Sequence, residues 1–490
     1  MMGNQERHTL TKMDAYAPVA NPATYRVQLA LHVGLEGVNF EQMDVSQAYL
    51  STRMKRKVLI RHPPGYMFIK NKRGRLDYRR LRPGEQRKRT LSQLARALYG
   101  GMECGRLFYD EWVDCHVAKL GFSRSKLDPC FLQKVSEDGL SFIKIVFHVD
   151  DGLVVWRGEE MYKKYKTDLS KRFSFKSGPL TRLLGMEFEV SPVCIKIRLE
   201  QQIHKMLRDF GMEDDHHEQS PVPTTANYKL PCESDVPTDP EELKKVQASF
   251  DMQQCVGHLN FIQMVLRGDI SCPLKVLSKF PVNFGKKHVQ LAKHVMRFLK
   301  GSARQPLVIR AGFARHHIQI FTDASHAGDT DTRRSVSGVV IKLGGNTVAW
   351  ASLFQKIVSH SSCESELMAL DKGATIGQHV KWIAELMGAD IVTPIHVFID
   401  NQSTINISSN PIQAGRNLHV HARYFYVRDL VYEKEYVLLY LPSADQVGDL
   451  LCSFKGTPNY RRLAALFFGC ARVESGSDGG LVWNTRLLQD

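Results

Sequence analysis

No stretch of this 490-residue chain reaches the roughly 18 consecutive apolar residues of a membrane-spanning helix, and the opening MMGNQERHTLTKMDAYAP contains no apolar core. The first absence argues against a membrane protein and the second against a secretory leader, so an intracellular chain is expected, in cytoplasm or nucleus and not secreted. CxxC pairs are also missing. The ten cysteines are scattered from Cys104 to Cys470, a spacing that suggests neither a structural zinc site nor a disulfide framework and fits a reducing compartment. No repeat of fixed period occurs, which sets aside solenoid and propeller architectures.

What the chain does have is apolar content and positive charge. At 43% hydrophobic and 24% charged residues it is long enough for several cores, and two to four globular domains are expected. Lys and Arg number 66 against 51 Asp and Glu, a formal charge of +15, which favours polyanionic partners such as nucleic acid over acidic metabolites. The charge is densest in KNKRGRLDYRRLRPGEQRKRT, with ten basic and two acidic residues from Lys70 to Arg89, either a solvated loop or a phosphate-facing patch. The Pro-, Ser- and Asp-rich stretch at 212–243 reads as an exposed connection. In KKHVQLAKHVMRFLKG, Val289, Ala292, Val295, Met296 and Leu299 recur at three- and four-residue spacings and predict an amphipathic helix ended by Gly301.

Two groups of acids stand out. In FIKIVFHVDDGLVV two apolar strands flank Asp150 and Asp151, and Asp-Gly supplies the positive φ of a tight hairpin turn. Two charges inside an apolar run belong either to a solvated turn or to a site that faces cations. The upstream FEQMDVSQAYLS offers Asp44 after an apolar segment, with Tyr49 five residues on. A hairpin turn with two carboxylates opposed by a third can hold two divalent cations for phosphoryl transfer, whereas three carboxylates without metal repel one another. In the C-terminal third, HHIQIFTDASHAG predicts a strand delivering Asp323, and SVSGVVIKLGGNTVAWAS predicts two more. SSCESELMALDKGATIGQHVKWIAELMG predicts a Ser-capped helix, PIHVFIDNQSTINI a strand ending at Asp400, and YVLLYLPSADQVGDLLCSF a strand leading to a helix with Asp449. Glu364 and Glu366 point about 200° apart around their helix, so one alone can join such a site.

Together QMDVSQAYL, HPPGY, ALYGGMECGRLFYDEW, HVDDGLVV, LLGMEFEV and the region from LRGDI to RFLKGS resemble, in order and spacing, the reverse transcriptase and ribonuclease H portion of copia-type retrotransposon polyproteins, from about Tyr16 to Lys455. FTDAS, SELMAL, FIDNQS and DQVGDLL are similar to the four acid motifs of the ribonuclease H fold. The resemblance implies an α+β fold: a reverse-transcriptase palm with partial fingers at 14–192, a helical thumb or connection at 193–312, and a ribonuclease H-like mixed sheet with helices at 313–455. Residues 1–13 and the tail 456–490 are unassigned.

It further implies that Asp44, Asp150 and Asp151 hold the polymerase magnesium pair, with manganese as a substitute, and that Tyr49 excludes a 2′-hydroxyl from the incoming nucleotide. Asp323, Glu366, Asp400 and Asp449 would hold a second pair, Glu366 being the acid that aligns with the family's catalytic helix. The implied partners are an RNA template, a DNA primer, deoxynucleoside triphosphates and an RNA/DNA hybrid. Arg416, His419, Arg423, Tyr424 and Arg428 match a family segment that either touches phosphate or packs a helix. This chain departs from the family pattern at His148, where tyrosine is usual, and at Met102, Glu103 and Gly105, where Lys, Gln and Pro are usual. Glu103 would add repulsion near a triphosphate. On the N-terminal side only Arg7 and Lys12 stand in for a basic finger segment. An alternative is a catalytically decayed, nucleic-acid-binding remnant of such an element.

Overall fold

The computed structural model describes residues 15–61, 66–70, 76–80, 91–225, 228–312, 316–409, 423–453, 456–470, 472–475 and 481–484. Arg7, Lys12, Arg416 and His419 lie outside them, as do the side chains of Arg423 and Tyr424. The side chains of the basic run at Lys70–Arg89 are likewise outside, though Tyr66–Lys70 and Leu76–Arg80 pair as antiparallel strands. The fold is α+β, in two compact units. One comprises Met1–Ala20 with Met43–Gly178, the other Asn21–Gln42 with Pro179–Asp490. Among the described residues no helix is long and apolar enough to cross a membrane, and no disulfide joins any of the ten cysteines.

In the first unit the strands Ser123–Arg124, Phe131–Val135, Phe142–His148 and Asp151–Arg157 form an antiparallel run. The end of the Asn39–Val45 strand lies beside the last of these, Val45 N donating to the Asp150 carbonyl at 2.9 Å. The Phe142–His148 strand is buried from Phe142 through Phe147, so apolar residues occupy both faces and a simple in-out alternation is not seen. The helix Cys104–Asp114 packs Phe108 and Trp112 against Phe173, at ring-centroid distances of 6.1 and 5.2 Å. It continues through one π-helical turn, Cys115–Lys119, which turns His116 inward. There Nδ1 lies 2.9 Å from the Trp112 carbonyl and Nε2 3.0 Å from the Tyr165 hydroxyl. Burial pulls this histidine down to about 4, so a neutral ring donates from Nδ1 and accepts at Nε2.

The second unit contains a four-stranded sheet, Arg182–Leu183, Met186–Val190, Cys194–Arg198 and Leu307–Arg310, and a five-stranded one. The five strands lie in the order Asn346–Phe354, Val336–Leu343, His317–Ser325, Val392–Ile399 and Tyr436–Tyr440. The first three are antiparallel and the last two add in parallel. The helix Ser362–Leu386 crosses this sheet. Its Gly373 is needed for close approach, because a Cβ there would overlap the Thr322 methyl group. The helix Pro22–His32, capped by Asn21, also belongs to this unit. Its buried Arg26 donates to the carbonyls of Val348 and Val265 at 2.7 and 2.8 Å and lies 3.9 Å above the Trp350 ring. Burial lowers Arg26 to about 9.

The helix Lys286–Gly301 buries Ala292, Val295, Met296 and Leu299 as its periodicity predicts, and Leu291 beside them, while Val289 is half-buried. The stretch at 212–243 is less exposed than its composition suggests. Arg297 on that helix donates to Asp215 at 2.9 Å, a ring nitrogen of His294 lies 3.0 Å from the Ser220 carbonyl, and Ser220 and Val222 are buried. The segment after Lys455 also has a place in the core. Its helix Thr457–Phe467 sends the Tyr460 hydroxyl to Asp269 at 2.6 Å, and Asp269 takes two bonds from fully buried Arg267. Such a buried ion pair survives only when its remaining lone pairs are met, and Tyr460 meets one of them.

Candidate functional site

Asp323, Glu366 and Asp400 come together in the second unit, each offering a carboxylate oxygen within 4.8 Å of the others. Asp323 is carried by the strand His317–Ser325, opposite Gly338 on its neighbour, and Asp400 follows the strand Val392–Ile399 directly. Glu366 sits one turn into its helix, which is capped as the serines predict: Ser361 Oγ accepts from Glu364 N at 3.1 Å. Glu364 instead accepts from His360 N at 2.7 Å in solvent, away from the cluster, in line with the angular argument.

Asp449 joins through two glycines. A Cβ on Gly338 would overlap the Gly448 carbonyl, and one on Gly448 would come within 3.1 Å of Asp323 N, so bare backbones let the loop settle beside the strand. Buried Gln446 pins that loop by donating to the Phe398 carbonyl at 3.1 Å. Ser443 Oγ donates to Asp400 at 2.7 Å, and Ser453 Oγ donates to Asp449.

The electrostatics are those of gathered like charges. Burial, then the charges of Asp323, Asp400 and Asp449, push Glu366 up to about 9. Its Oε1 accepts from Ala324 N at 3.0 Å, while its Oε2 is buried without a partner among the described residues. A bare buried oxygen beside further carboxylates, all hard donors, fits magnesium or manganese. Sequence reasoning missed Ser443, Gln446, Cys452 and Ser453. The signal for the last two was spacing, since Cys452 follows Asp449 by three residues on one helical turn.

In the first unit Asp44, Asp150 and Asp151 share one end of the sheet but are gathered less tightly. They are not among the groups whose ligating atoms fall within 4.8 Å of one another in the described residues. Asp44 is exposed and the other two half-buried. Burial, then Asp150 and Asp44, push Asp151 up to about 6, so all three share one electrostatic neighbourhood. The positive φ is not supplied by Asp-Gly. His148 pairs with Asp151, which leaves Val149 and Asp150 as the two turn residues, and Val149 carries φ 58°. The register thus makes Asp151 the first residue of a strand and assigns the left-handed position to a β-branched side chain, a strained choice.

Tyr49 is half-buried against Tyr99, with centroids 4.7 Å apart, and its hydroxyl is raised by burial and then by Asp150. Glu103 accepts from Arg56 Nε at 2.6 Å, so a guanidinium of the same unit answers the repulsion expected at this position. His148 is held below its usual value by burial, against an opposing pull from Asp150. Arg428 donates to the Ile407 carbonyl at 3.0 Å, a helix-packing contact.

Against this geometry the relatives can be placed. The family "Reverse transcriptase (RNA-dependent DNA polymerase)" matches residues 3–224. The chain is 27% identical over 458 residues to the Retrovirus-related Pol polyprotein from transposon TNT 1-94 of Nicotiana tabacum, which covers 92% of this chain and 32% of that protein. It is 25% identical over 453 residues to the Pol polyprotein from transposon RE1 of Arabidopsis thaliana, covering 92% of this chain and 28% of the relative. A foamy viral protease-reverse transcriptase solved with an RNA/DNA hybrid is similar at 13% identity and a TM-score of 0.41, over 85% of this chain and 46% of that one. Over 92% of its length the chain is similar to retrotransposon Pol polyproteins, and it spans about a third of the length of the curated relatives it matches.

Proposed function

We propose that this chain carries the polymerising and hybrid-cleaving steps of a copia-type Pol polyprotein. In this reading residues 14–192 are fingers and palm, 193–312 thumb or connection, and 313–455 the ribonuclease H-like part. RNA-directed DNA synthesis is assigned to Asp44, Asp150 and Asp151, with Tyr49 as sugar gate, and cleavage of the RNA strand of an RNA/DNA hybrid to Asp323, Glu366, Asp400 and Asp449. Template, primer, hybrid and deoxynucleoside triphosphates are the partners. The observation that carries the proposal is the convergence of buried Asp323 and Glu366 and half-buried Asp400 from strand, helix and strand onto one point, with the Glu366 Oε2 left bare among the described residues.

A magnesium pair, when bound, neutralises the carboxylates and supplies Lewis acidity for phosphoryl transfer. The protein's own contribution is to hold the ligands. Ala324 N orients Glu366, Ser443 orients Asp400, Ser453 orients Asp449, and the sheet fixes Asp323. Each carboxylate therefore meets the cation with little rearrangement. At the other site the Tyr49 ring is braced by Tyr99 and Phe108, so it can meet a nucleotide sugar as a rigid wall. The decayed-remnant reading draws support in the first unit alone, from the looser spacing of its acids.

Incubating the purified chain with an RNA/DNA hybrid and magnesium tests the assignment. Cleavage that falls in Asp323→Asn is expected, and cleavage undiminished in that variant would reject the site.

A further inference from the structure

In the first unit an open cleft of about 700 Å³ forms where the short helix Ala48–Ser51 ends. Thr52, Arg53, Arg96 and Arg172 line it, and none of Asp44, Asp150 and Asp151 does. Arg53 and Arg96 face each other across an antiparallel bridge, so two like charges stand side by side, a destabilising pairing unless an anion joins them. Arg96 Nη1 donates to the Ser51 carbonyl at 3.0 Å and Arg172 Nη2 to the same oxygen at 3.2 Å, which draws a third guanidinium into the group. Burial, then the charges of Arg96 and Arg53, hold Arg172 below its usual value. The carboxylates along the cleft are mostly engaged. Glu111 pairs with Arg172, Asp110 accepts from Arg106 Nε at 2.7 Å with Lys55 at 3.8 Å, and Asp114 is exposed. Arg53 makes no ion pair or side-chain hydrogen bond among the described residues. A separate sign comes from Thr52, which is 3% exposed and whose hydroxyl has no hydrogen-bond partner among the described residues. An unmet buried hydroxyl is costly, and at the wall of a cationic cleft it suits an anion that enters there.

We propose that this cleft binds the phosphate backbone of a single strand of nucleic acid, with Arg53 and Arg96 as paired donors and Thr52 as a neutral one. A phosphate between the two guanidinium groups meets both with charge-assisted hydrogen bonds, relieves their repulsion and offers the Thr52 hydroxyl an acceptor. The volume is that of a small-ligand site, with room for a segment of one strand and not for a duplex. Exposed Lys55 and Lys57 carry the positive charge beyond the cleft, which suits a chain of phosphates rather than one. The choice of a strand as ligand rests on reading the first unit as a nucleic-acid polymerase; the arginine geometry does not.

The test uses the full chain with a chelator present, so that neither acidic site contributes through metal, and a fluorescein-labelled oligodeoxythymidylate of about 12 nucleotides as probe. Arg53→Gln should weaken binding about 5- to 10-fold and lower the slope of log affinity against log salt by about 0.7. Thr52→Val keeps the shape of the side chain and should weaken binding about 2- to 10-fold without lowering the unfolding midpoint, because the hydroxyl it removes has no partner to lose. Unchanged affinity in both variants overturns the proposal. So does an equal loss in Lys205→Gln, an exposed lysine of the second unit, which would mean diffuse attraction to a chain of charge +15. Modification by phenylglyoxal, read by mass spectrometry, needs no variant: the oligonucleotide should protect Arg53 and Arg96, and reagent access unchanged by it overturns the proposal. Protection equally strong with adenosine monophosphate at the same phosphate concentration would mark a mononucleotide site and overturn the strand. A chain in which Arg53 is protected but no primer is extended sinks the polymerase assignment alone. A chain that extends a primer with Arg53 open to reagent sinks this one alone.

Discussion

In the second unit, buried Glu366 and Asp323 meet Asp400 with their oxygens within 4.8 Å, whereas in the first unit Asp44 is exposed, Asp150 sits in a two-residue turn and Asp151 opens the strand after it. The gathered site is held from several directions at once, by a sheet, by a long helix seated through Gly373, and by a loop locked where Gly338 meets Gly448. The looser site depends on one hairpin and the strand beside it. The difference would bear on how each site holds magnesium: closely gathered carboxylates supply more of the shell themselves, while the three looser ones leave more of it for substrate phosphates to complete. Under the proposed function, the second unit would be organised before substrate arrives and the first completed by its triphosphate.

The sharpest way to break that comparison is to disable one site at a time. Asp323→Asn should reduce hybrid cleavage by more than about 100-fold, and Asp150→Asn should do the same to primer extension, each leaving the other activity within about twofold. Loss of both activities in either variant would show one coupled site rather than two. Next in size is Gly338→Ala. Its new methyl group meets the Gly448 carbonyl and pushes the Asp449 loop outward, so a stability loss of about 1–3 kcal/mol is expected in thermal or urea unfolding. Cleavage should fall at least about tenfold while primer extension holds. An alanine tolerated without either effect would mean that the loop is not seated against the strand.

Preorganisation also has an electrostatic signature. Glu366 is raised from its ordinary value to about 9, so between roughly pH 4.5 and 9 the folded chain holds a proton that the unfolded chain has released. Stability of the metal-free protein should therefore fall as pH rises through that window, and Glu366→Gln should flatten the fall. Magnesium should restore more stability at pH 9 than at pH 5, because it meets the ionised carboxylate. Asp151, raised only to about 6, should contribute a smaller change confined to lower pH. Melting curves across pH with and without magnesium would decide, and equal slopes in the unaltered chain and Glu366→Gln would sink the account.

The part of this legible in sequence was the part governed by local pattern. Alternating apolar residues located the strands that carry Asp323 and Asp400, and serines marked the start of the helix that carries Glu366. What stayed hidden depended on contacts between distant segments. Nothing near Arg26 announces that its partners are the carbonyls of Val265 and Val348, some 240 and 320 residues away. Nothing around Tyr460, in the unassigned tail, announces that its hydroxyl meets Asp269, 191 residues upstream. Glu103 read as a stray charge because Arg56 lies 47 residues upstream. The hairpin misled for a different reason. Asp-Gly is a good turn pair, but strand register decided which residues became the turn, and a sheet buried on both faces constrains register more strongly than turn preference does.

That register yields the smallest prediction and the one aimed most directly at the looser site. Val149 holds φ 58°, where a β-branched residue is disfavoured by about 1–2 kcal/mol, and it does so immediately before Asp150. Val149→Gly removes that strain but adds about 0.5–1 kcal/mol of backbone entropy to the unfolded chain and gives up the half-buried side chain, so the net change should be a gain of no more than about 1.5 kcal/mol. Val149→Ala keeps the left-handed penalty and loses side-chain contact, so it should fall below the unaltered chain. The order glycine, valine, alanine in unfolding midpoint is the expected result. If alanine matches or exceeds glycine, the turn is not strained, and the positions of Asp150 and Asp151 must be set by the flanking strands alone.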